Sequence, residues 1–272
     1  MKRHLLLVVA AVGCAGTGVG NPQLDENEQA LIESGSDAMD AGDTASALVA
    51  ASTLALSDPA LLVDGVAVAT LVETRAPLYF EPAECLVTTR VDNEVTFDFQ
   101  GCRTGAFGLS SLDGELVATY SVETPGSVDV TIATRPSAPL GVGLAEVTLE
   151  ANASFSVSDS TRTVVWNGSY DAERPLRPTI HHDASYSAAY DTETRCLSLA
   201  GSATTRFSEG NGVELELGDY ERCGPAGTCP SRGTLTLTEL PDRERTLTLE
   251  FDGDDTAWLR EREFNIPLAC GE

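Results

Sequence analysis

Apolar residues recur along this chain with two different periods, and the change falls near residue 77. Between Glu26 and Arg75 the spacing is helical. Leu31, Ile32, Ala38 and Met39 share one face, and Gly42-Asp43 is expected to end that run. A second helix is expected to restart after Asp43 or Thr44, with Ala45, Leu48, Val49 and Leu56 on one side. Asp58-Pro59 reads as an N-cap followed by a proline at the first helical position, opening a third helix with Leu62, Val66, Ala69 and Val72 as its buried stripe. These helices are too rich in alanine to fold alone and need a surface to cover.

From Tyr79 onward the period is two. In Ala145–Val157, Val147, Leu149 and Phe155 face one side while Glu146, Thr148 and Glu150 face the other. Similar alternation covers Leu116–Val122, Val128–Ile132, Val164–Tyr170, Ala184–Tyr190, Val213–Leu217, Leu235–Leu237 and Leu247–Phe251. Turn signals separate these runs: Asp92-Asn93, Pro125-Gly126, Ser158-Asp159-Ser160, Gly210-Asn211-Gly212, Pro241-Asp242 and Asp252-Gly253. The expected fold is mainly β: an antiparallel up-and-down meander of about a dozen strands, a curled sheet or barrel-like, with the N-terminal helices packed on it. A transmembrane barrel fits poorly, because the wet face carries Thr, Ser, Glu and Asp and lacks an aromatic girdle.

Ahead of the helices, Lys2 and Arg3 lead into the apolar run Leu5–Val12, which stops at Gly13-Cys14. The run is too short to span a bilayer and has the layout of an export signal. Its ending at a cysteine resembles a bacterial lipoprotein signal, cut before Cys14 so that the thiol carries diacylglycerol. The implied organisation is a signal at 1–13, a Gly-rich flexible tether at 14–24, a helical segment at 25–76 and an antiparallel β domain at 77–272. The tether would have an r.m.s. length of roughly 15–20 Å.

Cutting before Cys14 removes the sole lysine and one arginine, leaving 15 arginines against 42 acids and a net charge of −27. Such a field repels nucleic acid and anionic headgroups, so neither is expected as a partner beyond the anchor itself. The six remaining cysteines, Cys85, Cys102, Cys196, Cys223, Cys229 and Cys270, form an even set that reads as disulfides in an exported chain. Counting out from a loop centred at Asn93-Glu94 places Cys85 opposite Cys102. Cys196 and Cys223 are related in the same way about Glu209-Gly210. Cys223 and Cys229 also close a tight loop, leaving Cys196 for Cys270. This second arrangement is preferred, because it staples the last strand to the rest of the sheet.

Tyr79-Phe-Glu-Pro-Ala-Glu-Cys85, the Val95–Cys102 strand, Cys229-Pro230 and the closing Pro267-Leu-Ala-Cys270 together resemble a group of uncharacterised β-rich bacterial lipoproteins. The resemblance runs the length of the chain, but its motifs are structural and imply no activity. Ala15 after the cysteine, rather than Asp, is similar to lipoproteins sorted to the outer membrane.

Catalytic signatures are scarce in this chain. Gly-x-Ser-x-Gly, His-Glu-x-x-His and phosphate-binding glycine loops are absent from the sequence. His181 and His182 are neighbours on a strand and point to opposite faces, so they do not share a metal. Asp252-Gly-Asp254-Asp255 lacks EF-hand spacing and reads as an acidic turn. Asn152-Ala-Ser and Asn167-Gly-Ser match a glycosylation pattern that means little in a bacterial chain. Trp166, Tyr170, Tyr186 and Tyr190 share one apolar face and are most simply core, with ligand-lining the sharper alternative. The expectation is therefore a lipid-anchored structural or interaction module of the cell envelope, not an enzyme, without cofactor or metal. Its partners would be the membrane at Cys14 and other proteins. The rival is a carrier for a lipid or other apolar molecule, if the strands close around a lumen. The stripe of Leu62, Val66 and Val72 decides between them: filling the concave face, it leaves no cavity.

Overall fold

A computed structural model describes residues 24–53, 56, 59–103, 111–135, 137–175, 178–224, 229–241 and 245–267. The export signal, Cys14, the tether up to Gln23, Asp58 and Cys270 lie outside these described residues.

Helices α1 (Glu26–Thr53) and α2 (Gly65–Arg75) precede β1 (Leu86–Val91), β2 (Glu94–Cys102), β3 (Leu112–Ser121), β4 (Ser127–Thr134), β5 (Leu140–Val142), β6 (Ala145–Ser158) and β7 (Thr161–Glu173). The chain continues through β8 (Ile180–Asp191), β9 (Cys196–Phe207), β10 (Gly212–Cys223), β11 (Arg232–Leu240), β12 (Thr246–Phe251), β13 (Thr256–Leu259) and β14 (Phe264–Pro267). All belong to one antiparallel sheet in which each strand lies beside its chain neighbours, the expected meander. Short β5 leaves the path and lies between β3 and β6, continuing the line of β4. Pro139, which lacks an N–H for the ladder, lies at the interruption. There Gly114 (φ +110°) passes beneath Pro139, whose carbonyl oxygen would lie 2.3 Å from any Cβ added to it.

One face of the sheet is apolar and the other wet. In β6 the burial alternates as the sequence predicts: Val147, Leu149, Ala151, Ala153 and Phe155 are buried, with Glu146, Thr148, Glu150, Asn152 and Ser154 outside. A bulge in β10 between Leu217 and Tyr220 reverses the parity, so that Leu215 and Leu217 are buried before it and Tyr220 and Arg222 after it.

The same bulge settles a cysteine pairing. It shifts the β9–β10 register by one residue and brings Cys196 opposite Cys223, with Cα atoms 4.0 Å apart and the two sulfurs bonded. The preferred Cys223–Cys229 and Cys196–Cys270 arrangement is therefore corrected. Cys229 is itself disulfide-bonded. Cys85–Cys102 forms as expected, although the hairpin turns at Asp92-Asn93, one residue earlier than the count assumed. Cys85 thus faces Gln100 in the ladder, and Gly101 (φ +70°) bulges to let Cys102 reach it.

The helices depart from expectation in an informative way. Gly42 does not end a helix; α1 is continuous through it. Its N-terminus is a capping box: Asp25 Oδ1 accepts from Glu28 N–H (2.9 Å) and Glu28 Oε2 accepts from Asp25 N–H (2.9 Å). Arg262, from the turn between β13 and β14, bonds both carboxylates of the box. These hydrogen bonds, led by that from Glu28 N–H, hold the Asp25 carboxyl below the usual carboxylate range. At the other end the fully buried Tyr120 hydroxyl donates to the Ser52 carbonyl (2.8 Å), satisfying one orphan acceptor of the last turn. Pro59–Leu61 is a single 3-10 turn. The helix proper begins six residues later than Pro59, at Gly65, with Asp64 Oδ1 accepting from Ala67 N–H (2.8 Å). Its buried face is Val68, Ala69 and Val72, while Val66 is 47% exposed, a correction to the expected stripe.

A helix laid on a flat sheet is buried along one stripe. In α1, Ala38, Met39, Ala41, Ala45, Leu48, Val49, Ala51 and Ser52 are all buried, spanning most of the helix circumference. The sheet curls around this helix. Its C-terminal half joins one apolar cluster with α2 and β1–β9, and its N-terminal half joins a second with β8–β13. Gly35 and Gly42, two turns apart, let the α1 backbone rest directly on Leu237 of β11 and on His182 and Tyr186 of β8. Among the described residues β1 and β14 do not pair with each other, so the sheet is curled with two free edges.

Candidate functional site

The expected aromatic face and the histidine pair meet at the seam between the two apolar clusters. Tyr170 of β7 lies opposite His182 of β8, His182 lies opposite Thr205 of β9, and Trp166 lies opposite Tyr186. Even spacing along each strand puts all five on the concave face beneath α1. Trp166 and Tyr170 are buried, and Trp166 packs against Tyr186 at 5.6 Å between ring centroids. Tyr186 lies over Gly201, its cross-strand partner, where an added Cβ would sit 2.7 Å from the ring. Tyr190 is part-buried beside the second cluster. Tyr170 hydrogen-bonds Thr44 of α1, and burial pushes its hydroxyl up to about 12. Beyond the end of β7, Arg174 forms an ion pair with Asp37 of α1 (3.3 Å).

His182 is fully buried. Its Nδ1 contacts Thr205 Oγ1 at 2.8 Å. Among the described residues its Nε2 has no hydrogen-bond partner, and it faces Gly42, where a Cβ would lie 3.4 Å away. Burial holds the ring pKa down at about 4, against an upward pull from Asp183 and with a smaller downward push from His181. The ring is therefore neutral at ordinary pH. A histidine beside a threonine hydroxyl has the look of a base and nucleophile. Here α1 seals both from solvent, and the pair serves as a polar contact within the core.

His181, on the outer face, is of the opposite kind. Asp171 lies 2.7 Å from its Nδ1 and Asp183 3.1 Å from its Nε2, while Arg206 approaches Asp183 at 3.5 Å. The Asp171 hydrogen bond raises the His181 pKa against partial burial, and the charges of Asp171 and Asp183 add to the rise. Both ring nitrogens are engaged by carboxylates, leaving none to activate a nucleophile. The two histidines face opposite ways, as strand geometry requires.

Among the described residues the one grouping with metal-ligand spacing is Cys196, Glu221 and Cys223, whose sulfurs are joined to each other. An open groove of about 720 Å³ crosses the outer face where the β10 bulge lies, lined by Ser187, Ala189, Ser198, Ala200, Asp219 and Arg232 among others. It holds no histidine or cysteine. Asp252–Asp255 is an exposed turn in which Asp252 Oδ1 accepts from Asp254 N–H (3.2 Å). No described helix is long and apolar enough to cross a membrane.

Sequence reasoning missed Thr205, Gly42 and the Asp37–Arg174 tie. Thr205 meets His182 because the chain folds back about Glu193-Thr194, a turn that carries no glycine or proline to signal it. Gly42 was misread as a break because glycine as a packing surface and glycine as a breaker look alike in one sequence.

No protein-family model, curated protein or solved structure matches this chain. Its fold and site stand on their own geometry.

Proposed function

We propose that this chain is a lipid-anchored interaction module of the cell envelope, held at the outer membrane through Cys14 and acting by contact rather than catalysis. The observation that carries this reading is the burial of α1 inside the curl of the sheet. An apolar cargo would need the space that Ala45, Leu48 and Val49 occupy, together with the faces of Trp166 and Tyr170 beneath the helix. Leu62 and Val72 fill the same concave side. The buried seam ties helix to sheet, and its histidine is out of reach of a substrate.

Support for the location comes from the disulfides, which persist in oxidising compartments. It also comes from the cysteine-terminated export run and the kinship with β-rich lipoproteins that its motifs suggest. The acidic, lysine-free mature surface keeps the module off anionic headgroups, so attachment would fall to the acyl chains.

The test is Cys14→Ser. Labelled palmitate is expected to enter the wild-type protein and not the variant, and the variant is expected in the soluble fraction or with its signal uncut. Acyl labelling and membrane retention that survive the substitution would remove the anchor from the account.

A further inference from the structure

Exposed large apolar side chains are unevenly placed. Leu144, Val165 and Trp258 apart, the exposed large apolar side chains among the described residues lie within residues 61–91: Leu61, Val63, Val66, Leu78, Tyr79, Val87 and Val91. They border one edge of the sheet. Gly65, at the start of α2, packs on Tyr120 and on Asn93 in the β1–β2 turn, while the Glu73 carbonyl accepts from Thr88 Oγ1 of β1 (2.8 Å). Helix α2 therefore runs alongside β1, with Val63 and Val66 near its Val91 end and Leu78 and Tyr79 near its Leu86 end.

That edge is open. Gln100 N–H donates to the Cys85 carbonyl (2.8 Å), and the register pairs Leu86 with Phe99. Hydrogen-bonded pairs then fall at residues 85, 87, 89 and 91, and the N–H and C=O groups of Leu86, Thr88 and Arg90 point away from β2. No hydrogen bond reaches those groups among the described residues. Natural edges are blunted by proline, lysine, a bulge or an inward charge. β1 has none of the first three, and Arg90 is held by Glu73 (3.1 Å) and by the Asp92 carbonyl (2.9 Å). The opposite edge, β14, is four residues long and ends at Pro267.

We propose that β1 is a docking edge for an extended segment of a basic partner protein, which adds a strand against Leu86, Thr88 and Arg90 and lays apolar side chains over Val87 and Val91. This proposal rests on the interaction-module reading above and names its contact surface. Charge selects the occupant. The mature chain carries −27 and no lysine, and Glu84 and Asp92 are exposed at the two ends of the strand. A second copy would bring the same field against itself, whereas a segment flanked by Lys or Arg is attracted. The alternation of outward main-chain groups at Leu86, Thr88 and Arg90 with exposed side chains at Val87 and Val91 is that of strand addition.

The experiment uses the Cys14→Ser protein and the synthetic peptide Lys-Thr-Val-Thr-Val-Thr-Val-Lys, followed by amide hydrogen exchange. The peptide is expected to slow exchange at Leu86, Thr88 and Arg90 by at least about ten-fold, with Glu-flanked peptide giving little effect. Thr88→Pro removes an edge N–H without touching the ladder to β2 and is expected to abolish the protection. Val87→Lys with Val91→Lys, at exposed positions, is expected to weaken it while the melting temperature holds. No protection at these amides, or protection undiminished in both variants, overturns the docking edge. A wild-type dimer in sedimentation that Thr88→Pro returns to monomer overturns the basic partner in favour of a second copy. The assay needs no membrane, so it fails or succeeds independently of palmitate labelling at Cys14.

Discussion

Val147→Asp is expected to unfold the β domain, while Glu146→Asp, one residue away, is expected to leave it intact. Val147 is fully buried in β6, opposite Ala172 of β7 and Leu140 of β5. A carboxylate there has no partner and no water. The cost is the lost apolar burial plus the burial of an unpaired charge, about 4 kcal/mol or more, a large share of a typical domain's stability. Glu146 points outward, opposite Glu173, and shortening it changes stability by no more than about 0.5 kcal/mol. Denaturant melts followed by near-ultraviolet circular dichroism separate the two outcomes. Equal effects would mean that the two faces of β6 have been exchanged.

The second large effect is with pH. His182 has its pKa held near 4 by burial, below the unfolded value of 6.5, so the folded protein disfavours the charged ring. Its contribution is fully present above pH 6.5. Below that, the unfolded chain takes up a proton that the folded one refuses, and stability falls by about 1.4 kcal/mol per pH unit until pH 4 is reached, about 3 kcal/mol in all. Carboxylates also titrate near the lower limit, so the informative quantity is the difference from His182→Gln, which cannot be protonated. The stability advantage of wild type over His182→Gln is expected to shrink steadily between pH 7 and pH 4.5. An advantage that stays constant would mean that the ring is not buried neutral beneath α1. His181 works in the opposite direction. Its raised pKa gives a contribution present below the unfolded value and lost as pH rises through the folded one, and its exposure makes that contribution small.

Much of this architecture is legible in the residues, for identifiable reasons. Period-two alternation is imposed by the pleat itself, so the β6 facing and the meander could be read from Val147, Leu149 and Phe155 and from the turn residues alone. What failed was register and continuity. The β10 bulge depends on Gly218-Asp219, where Asp219 takes a left-handed φ of +47°, yielding an extra residue, and the Cys196–Cys223 pairing follows from that single slip. The continuity of α1 through Gly42 depends on His182 and Tyr186 lying directly below it, a tertiary fact with no local signature. Val66 was assigned to the core by helical spacing, yet the true start of α2 at Gly65 turns Val68 inward and Val66 outward. At the candidate site, the shared face of Trp166, Tyr170 and Tyr186 was legible from strand parity. That a helix covers it, and that Thr205 meets His182, was not.

The space inside the curled sheet belongs either to α1 or to a cargo. The direct measurement is a native mass spectrum of the Cys14→Ser protein purified from its own host. Occupation by α1 predicts the bare polypeptide mass, unchanged apart from the hydrogens lost to disulfides. A reproducible additional mass, released on denaturation, would contradict it and make the chain a carrier.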